Sequence, residues 1–154
     1  MSKLKLLAIG SPFQLDRVSW IMANALTHNK IKANVDIKLL DRPGINLLKE
    51  FSQEPLLIID AVYTNGEFGQ IVEFPINENN ILKIKQSQVK AYSSHSLGLA
   101  QSLELSIALD QMPKNARFLG FNINNVKDAR NNLKLFRNFK EHILKVILSK
   151  LNEE

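Results

Sequence analysis

Residues 55–62 read Pro-Leu-Leu-Ile-Ile-Asp-Ala-Val, a nearly unbroken apolar run broken by one charge, Asp60. Apolar side chains at consecutive positions point to both sides of a strand, so this segment must be covered on both faces. It reads as an interior strand of a sheet with helices above and below.

The flanking sequence supplies that sheet and its covers. Residues 3–9 form a second short apolar run ending in Gly10-Ser11-Pro12, a strand running into a turn. From Val18, the positions Val18, Ile21, Met22, Ala25 and Leu26 follow the i, i+3, i+4 spacing of a helix with one buried face. Residues 33–40 alternate in part, as a strand does, and end at Asp41-Arg42-Pro43-Gly44; Pro43 suits the first turn of a helix reaching about Phe51. After the central run, Asn65-Gly66 and Gly69 signal turns and residues 70–74 resume a strand, as a hairpin or at a mixed sheet edge. Residues 77–80 read as loop. Residues 97–112 are apolar almost all round, with Leu99, Leu103 and Ile107 four apart, which predicts a helix buried against the sheet. Residues 117–123 give a fifth strand. The chain closes on a long amphipathic helix, with Leu133, Phe136, Ile143, Val146, Ile147 and Leu151 as its apolar stripe and Lys127, Arg130, Lys134, Arg137 and Lys145 on other faces. Strands alternating with helices predict an α/β fold: a three-layer α/β/α sandwich around a five-stranded sheet, mostly parallel or mixed.

Composition narrows the function classes. The 154 residues match one domain. Cysteine is absent, which removes disulfides, thiolate metal sites and a cysteine nucleophile, and fits a reducing, cytoplasmic setting. No signal-peptide core or membrane-length apolar run is present, so no membrane association is expected. The formal charge of +5 is read as lysine on solvated faces rather than a nucleic-acid surface. A phosphate loop and a G-x-S-x-G nucleophile elbow are both missing, so nucleotide binding and serine-hydrolase chemistry find no support.

In open α/β sheets the ligand crevice lies beyond the carboxyl ends of the strands. Asp16 follows the first strand, Asp41 the second, and Asp60 closes the third, while His95 stands in Ser93-Ser94-His95-Ser96 ahead of the buried helix. Carboxylates with an imidazole make a borderline ligand set suited to nickel, zinc or a similar divalent ion. Each residue also has a plain structural role open to it: Asp16 as a helix N-cap, Asp41 as a turn residue, His95 as a packed or capping-region side chain. Asp60 is hardest to explain structurally, because an acid closing an apolar run is costly to bury without a partner.

The order of these blocks resembles the hydrogenase maturation proteases. Gly10-Ser11-Pro12-Phe13-Gln14-Leu15-Asp16 follows that family's opening G-N-x-L-x-x-D-D-G-x-G as far as its first acid. Asp60-Ala61-Val62 and Gly66-Glu67-Phe68-Gly69 resemble its D-A-V and G-x-P-G, Ser93-Ser94-His95-Ser96-Leu97-Gly98-Leu99 its S-x-H-x-x-G-L, and Phe118-Leu119-Gly120-Phe121 its closing strand. The resemblance implies one domain of this type over residues 1–154. It also implies an endopeptidase that removes the C-terminal extension of a nickel-loaded hydrogenase large-subunit precursor, the nickel being supplied by the substrate, with zinc or another divalent ion as a surrogate. On it, Asp16, Asp60 and His95 are the catalytic, metal-contacting residues and Asp41 a secondary candidate. The chain departs from the pattern at Arg17-Val18-Ser19-Trp20, where two glycines give way to bulky residues and an acid to a base. A cation beside Asp16 would hold its carboxylate ionised but compete for it, and Trp20 would narrow or roof the cleft. The alternatives are a non-catalytic assembly factor descended from such a protease, and a peptidase with another target.

Overall fold

A computed structural model of the chain describes residues 3–11, 14–28, 34–41, 44–87, 94–126 and 128–151; for residues 14, 16, 44–46, 87, 94–98 and 129 it describes the backbone alone. Five strands, β1 (Leu4–Ile9), β2 (Val35–Leu40), β3 (Leu56–Val62), β4 (Ile71–Pro75) and β5 (Ala116–Asn122), form one sheet in the order β2-β1-β3-β5-β4. β1, β2, β3 and β5 run parallel, while β4 lies antiparallel against β5 at the edge. The expected mixed edge is present. A hairpin is not, because β4 skips past β5 rather than pairing with β3.

The run at 56–62 is buried at every position, which is why its sequence shows no polar alternation. Leu57, Ile59 and Ala61 face one layer, together with α1 (Val18–Leu26) and α4 (Ala129–Leu151). Leu56, Ile58 and Val62 face the other, formed by a 3-10 segment at Gly44–Glu50, α2 (Ile81–Ser87) and α3 (Ser94–Ala108). The three-layer sandwich is thus realised with two separate cores. On the α4 side, Phe121 is fully buried with its ring centroid 5.4 Å from Phe68 and 5.2 Å from both Phe136 and Phe139.

Several elements differ from the sequence reading. The segment before β3 is a 3-10 helix rather than an α-helix, and of its described side chains only Leu47 is fully buried; Pro43 lies outside the described residues. The turn at 77–80 leads directly into α2, where Ile84 is buried and Leu82 is exposed. α3 begins and ends earlier than residues 97–112, its outer face leaves Leu105 in solvent and Leu109 just past its end is exposed too, so the helix covers the sheet with one face only. Leu133 likewise points outward, and the buried face of α4 is carried by Phe139, Ile143 and Ile147. Lys127 lies outside the described residues. No helix among the described residues is long and apolar enough to cross a membrane.

Between the sheet and α4, Glu73 of β4 is held by two side chains. Its Oε1 accepts from His142 Nε2 at 2.8 Å and its Oε2 from Arg117 Nε at 3.1 Å. Partial burial pushes the Glu73 carboxyl up, but the His142 hydrogen bond and the Arg117 charge outweigh it and hold the group below the ordinary carboxylate value. A depressed carboxyl contributes stability above its unfolded pKa and loses it as pH falls through the folded value. Glu73→Gln is therefore expected to cost about 0.5–1 kcal/mol at neutral pH, an amount set by its partial exposure. The difference from wild type should vanish below the normal carboxylate range in urea unfolding followed across pH; a difference that persists in acid would exclude this ion pair as its source.

Candidate functional site

Asp60 sits two residues before the end of β3 and is 2% exposed. Alternation along the strand puts it on the face it shares with Ile58 and Val62, toward the layer that contains α3. Its neighbour in register on β5 is Gly120. A Cβ there would lie 2.6 Å and 3.0 Å from the two methyls of Val62 and 3.1 Å from the Phe118 ring, so only glycine lets those side chains pack beside Asp60.

α3 approaches the same end of the sheet. β4 runs opposite to β5 and finishes beside the start of β5, where Ile76 N donates to Ala116 O at 2.8 Å. The chain then ascends through α2 and returns through α3 to enter β5 from its amino end. α3 must therefore start at the carboxyl edge, and His95 is its second residue. Asp16 belongs to a 3-10 segment, Gln14–Arg17, that packs against β3 and α1. The N-cap position of α1 falls one residue later, at Arg17, which is exposed and makes no side-chain cap hydrogen bond. The segment carrying Asp16 thus packs on the strand that carries Asp60, and His95 lies in the first turn of the helix that leads into β5; the side chains of Asp16 and His95 are outside the described set. Among the described residues no three acids or histidines form a metal-binding cluster.

Asp41 follows β2 and is exposed. β1 separates β2 from β3, a spacing of roughly 10 Å, which sets Asp41 apart from Asp60. Trp20 does not cover the face that Asp60 occupies. It packs with the α1 core on the other side of the sheet, and its indole N–H reaches the Leu40 carbonyl at 3.4 Å, tying α1 to the end of β2.

Asn65-Gly66 and Gly69 mark turns after β3, but sequence patterning does not announce what holds the loop together. Residues 63–70 cross to β4, and the buried Asn122 side chain holds them. Its Nδ2 donates to the carbonyls of Gly66 and Glu67, both at 2.9 Å, and its Oδ1 accepts from the amides of Thr64 at 2.9 Å and Asn124 at 3.2 Å. Asn124 Nδ2 donates to Thr64 O at 2.8 Å and Asn125 Nδ2 to Gly66 O at 3.0 Å. The one signal available was the Asn122-Ile123-Asn124-Asn125 string, since asparagine side chains bond readily to nearby backbone. The loop closes at Gly69, whose φ is +85° and whose amide donates to Asn122 O at 2.8 Å. A Cβ at Gly69 would lie 2.8 Å from Leu135 Cδ1 and 2.9 Å from its Cβ. Gly69→Ala is accordingly expected to destabilise by about 1–3 kcal/mol through strain and overpacking. Denaturant titration measures it, and a neutral substitution would mean that the loop relaxes freely.

A search of curated proteins finds no match to this chain. Solved structures do match. The hydrogenase maturating endopeptidase HybD from E. coli superposes with a TM-score of 0.75 at 17% identity, covering 96% of this chain and 93% of that one. The [NiFe] hydrogenase maturation protease HybD from Thermococcus kodakarensis gives 0.69 at 19% identity, covering 94% and 99%. A hydrogenase 2 maturation peptidase from Thaumarchaeota archaeon SCGC_AB-539-E09 gives 0.62 at 15% identity over 99% of each chain. At such identities the likeness is one of fold. The family model for hydrogenase maturation protease, HycI, matches residues 42–151, and with most of the sequence accounted for in that way the chain belongs to the hydrogenase maturation protease family.

Proposed function

We propose that this chain is an endopeptidase that removes the C-terminal extension of a nickel-loaded hydrogenase large-subunit precursor, with Asp16, Asp60 and His95 contacting the nickel carried by that substrate. The observation that supports the reading is the burial of Asp60 near the carboxyl end of the central strand, against which the segment bearing Asp16 packs. Carboxylates and an imidazole suit a borderline divalent ion, and such an ion, once bound, can polarise a scissile carbonyl or a water. The buried strand face would keep the Asp60 carboxylate in a low-dielectric setting, where its attraction to a cation is strong.

A second reading has its own support. Where family members carry glycines after the first acid, this chain begins α1 at Val18, directly after an exposed Arg17. An entrance built that way fits an assembly factor that grips the precursor without cutting it.

The test is incubation of the purified protein with its host's large-subunit precursor, nickel-loaded and nickel-free, followed by intact mass. Loss of a single C-terminal peptide from the loaded form alone is the expected result. Binding without cleavage would favour the assembly factor, and neither would remove hydrogenase as the target. Zinc-loaded precursor tests the surrogate ion in the same assay.

A further inference from the structure

The loop after β3 continues the strand that carries Asp60, and its side chains divide sharply. Phe68 is buried, whereas Tyr63, Asn65 and Glu67 are exposed or half-exposed, Tyr63 by 47% although it is a large aromatic residue. The backbone between them is tied down on both sides. The carbonyls of Thr64, Gly66 and Glu67 accept from the asparagine side chains at the end of β5, and the amides of Thr64, Gly66 and Gln70 donate to Asn122 Oδ1, Thr64 Oγ1 and Glu67 O. A loop whose backbone is tied internally at this many points offers a partner its side chains, already ordered before binding.

We infer that Asn122 is a positioning residue: it freezes residues 63–67 into a rigid lip beside Asp60, and Tyr63 and Glu67 on that lip seat the precursor polypeptide next to the scissile bond. This rests on the proposed function. Tyr63 follows Asp60 by three residues, so the lip begins at the same strand end that a chain placed for cleavage at Asp60 would approach. Tyrosine offers a broad amphipathic surface at low entropic cost, and Glu67 favours a basic side chain on the passing segment.

Three variants test it against the wild type with nickel-loaded precursor. Asn122→Asp has the same shape but replaces both Nδ2 donors with an oxygen facing two carbonyls. Tyr63→Ala and Glu67→Gln remove exposed groups from an unchanged lip. The expected result is KM raised about tenfold by Asn122→Asp and by Tyr63→Ala, several-fold by Glu67→Gln, with kcat within about twofold of wild type throughout. Asn122→Asp should also speed hydrogen exchange at residues 64–67, whereas the other two should leave exchange and melting temperature unchanged. Unaltered KM in Tyr63→Ala, or a fall in kcat alone, would overturn the inference while wild-type cleavage kept the proposed function standing. A wild type that neither binds nor cleaves the precursor would bring down both, and that control separates the cases.

Discussion

Asp60→Asn is expected to lower precursor cleavage by roughly 100-fold or more while leaving the folded protein intact, given what loss of a metal-contacting group or its support costs in such sites. The substitution conserves shape, which matters at a position that is 2% exposed within a wholly buried strand and in register with Gly120. It replaces a carboxyl with an amide that has half the acceptor capacity and presents a donor, so the group offered to a substrate-borne cation is lost. Single-turnover cleavage with enzyme in excess, read by intact mass beside a thermal melt, measures both halves. His95→Ala should share the cleavage phenotype if the first turn of α3 contributes to the same site. Cleavage within a few-fold of wild type in Asp60→Asn would remove Asp60 from the metal-contacting set.

Phe121→Ala is expected to have the largest effect on stability, about 3–5 kcal/mol. Its ring stands at the centre of an aromatic group formed with Phe68, Phe136 and Phe139, and so joins β5, the lip loop and α4 in one contact set. Truncation opens a cavity that three neighbouring rings, one on the loop and two on α4, cannot close together. For a domain of this length the melting temperature should fall by on the order of 10 °C. Guanidinium titration with an unchanged slope gives the free energy directly, and a loss below about 1 kcal/mol would mean that the surrounding rings collapse into the space.

The parts of the fold legible in the sequence are those where burial dominates. β3 declares itself because both of its faces are covered, and Asp60 stands out against it for the same reason. α2 leaves almost no such trace: it is seven residues long, Ile84 is its fully buried side chain, and Leu82 points to solvent. The apolar outer positions of α3 and just past its end suggested burial all round, yet Leu105 and Leu109 are exposed; hydrophobicity marks what can be buried, not what is. At the site, the order of acids and the histidine along the chain was visible, whereas the extension of the 3-10 segment through Arg17 was not, since it depends on packing against β3. Asn122 was invisible for a related reason. Its hydrogen bonds reach mainly to residues 55 to 58 positions earlier, and nothing local distinguishes such an asparagine from one in an ordinary turn.

The clamp on the lip also bears on how this protein ages. Asn65-Gly66 is the kind of pair most prone to deamidation, in which the glycine nitrogen attacks the asparagine side-chain carbon and closes a five-membered imide. In the folded chain the Gly66 amide is engaged with Thr64 Oγ1, and the Gly66 carbonyl is held by both Asn122 and Asn125. The backbone rotation needed for ring closure would have to break these bonds first. Chemical damage at Asn65 is therefore governed by how often the lip opens rather than by the intrinsic reactivity of the pair, and the same hydrogen bonds that shape the loop set its chemical lifetime.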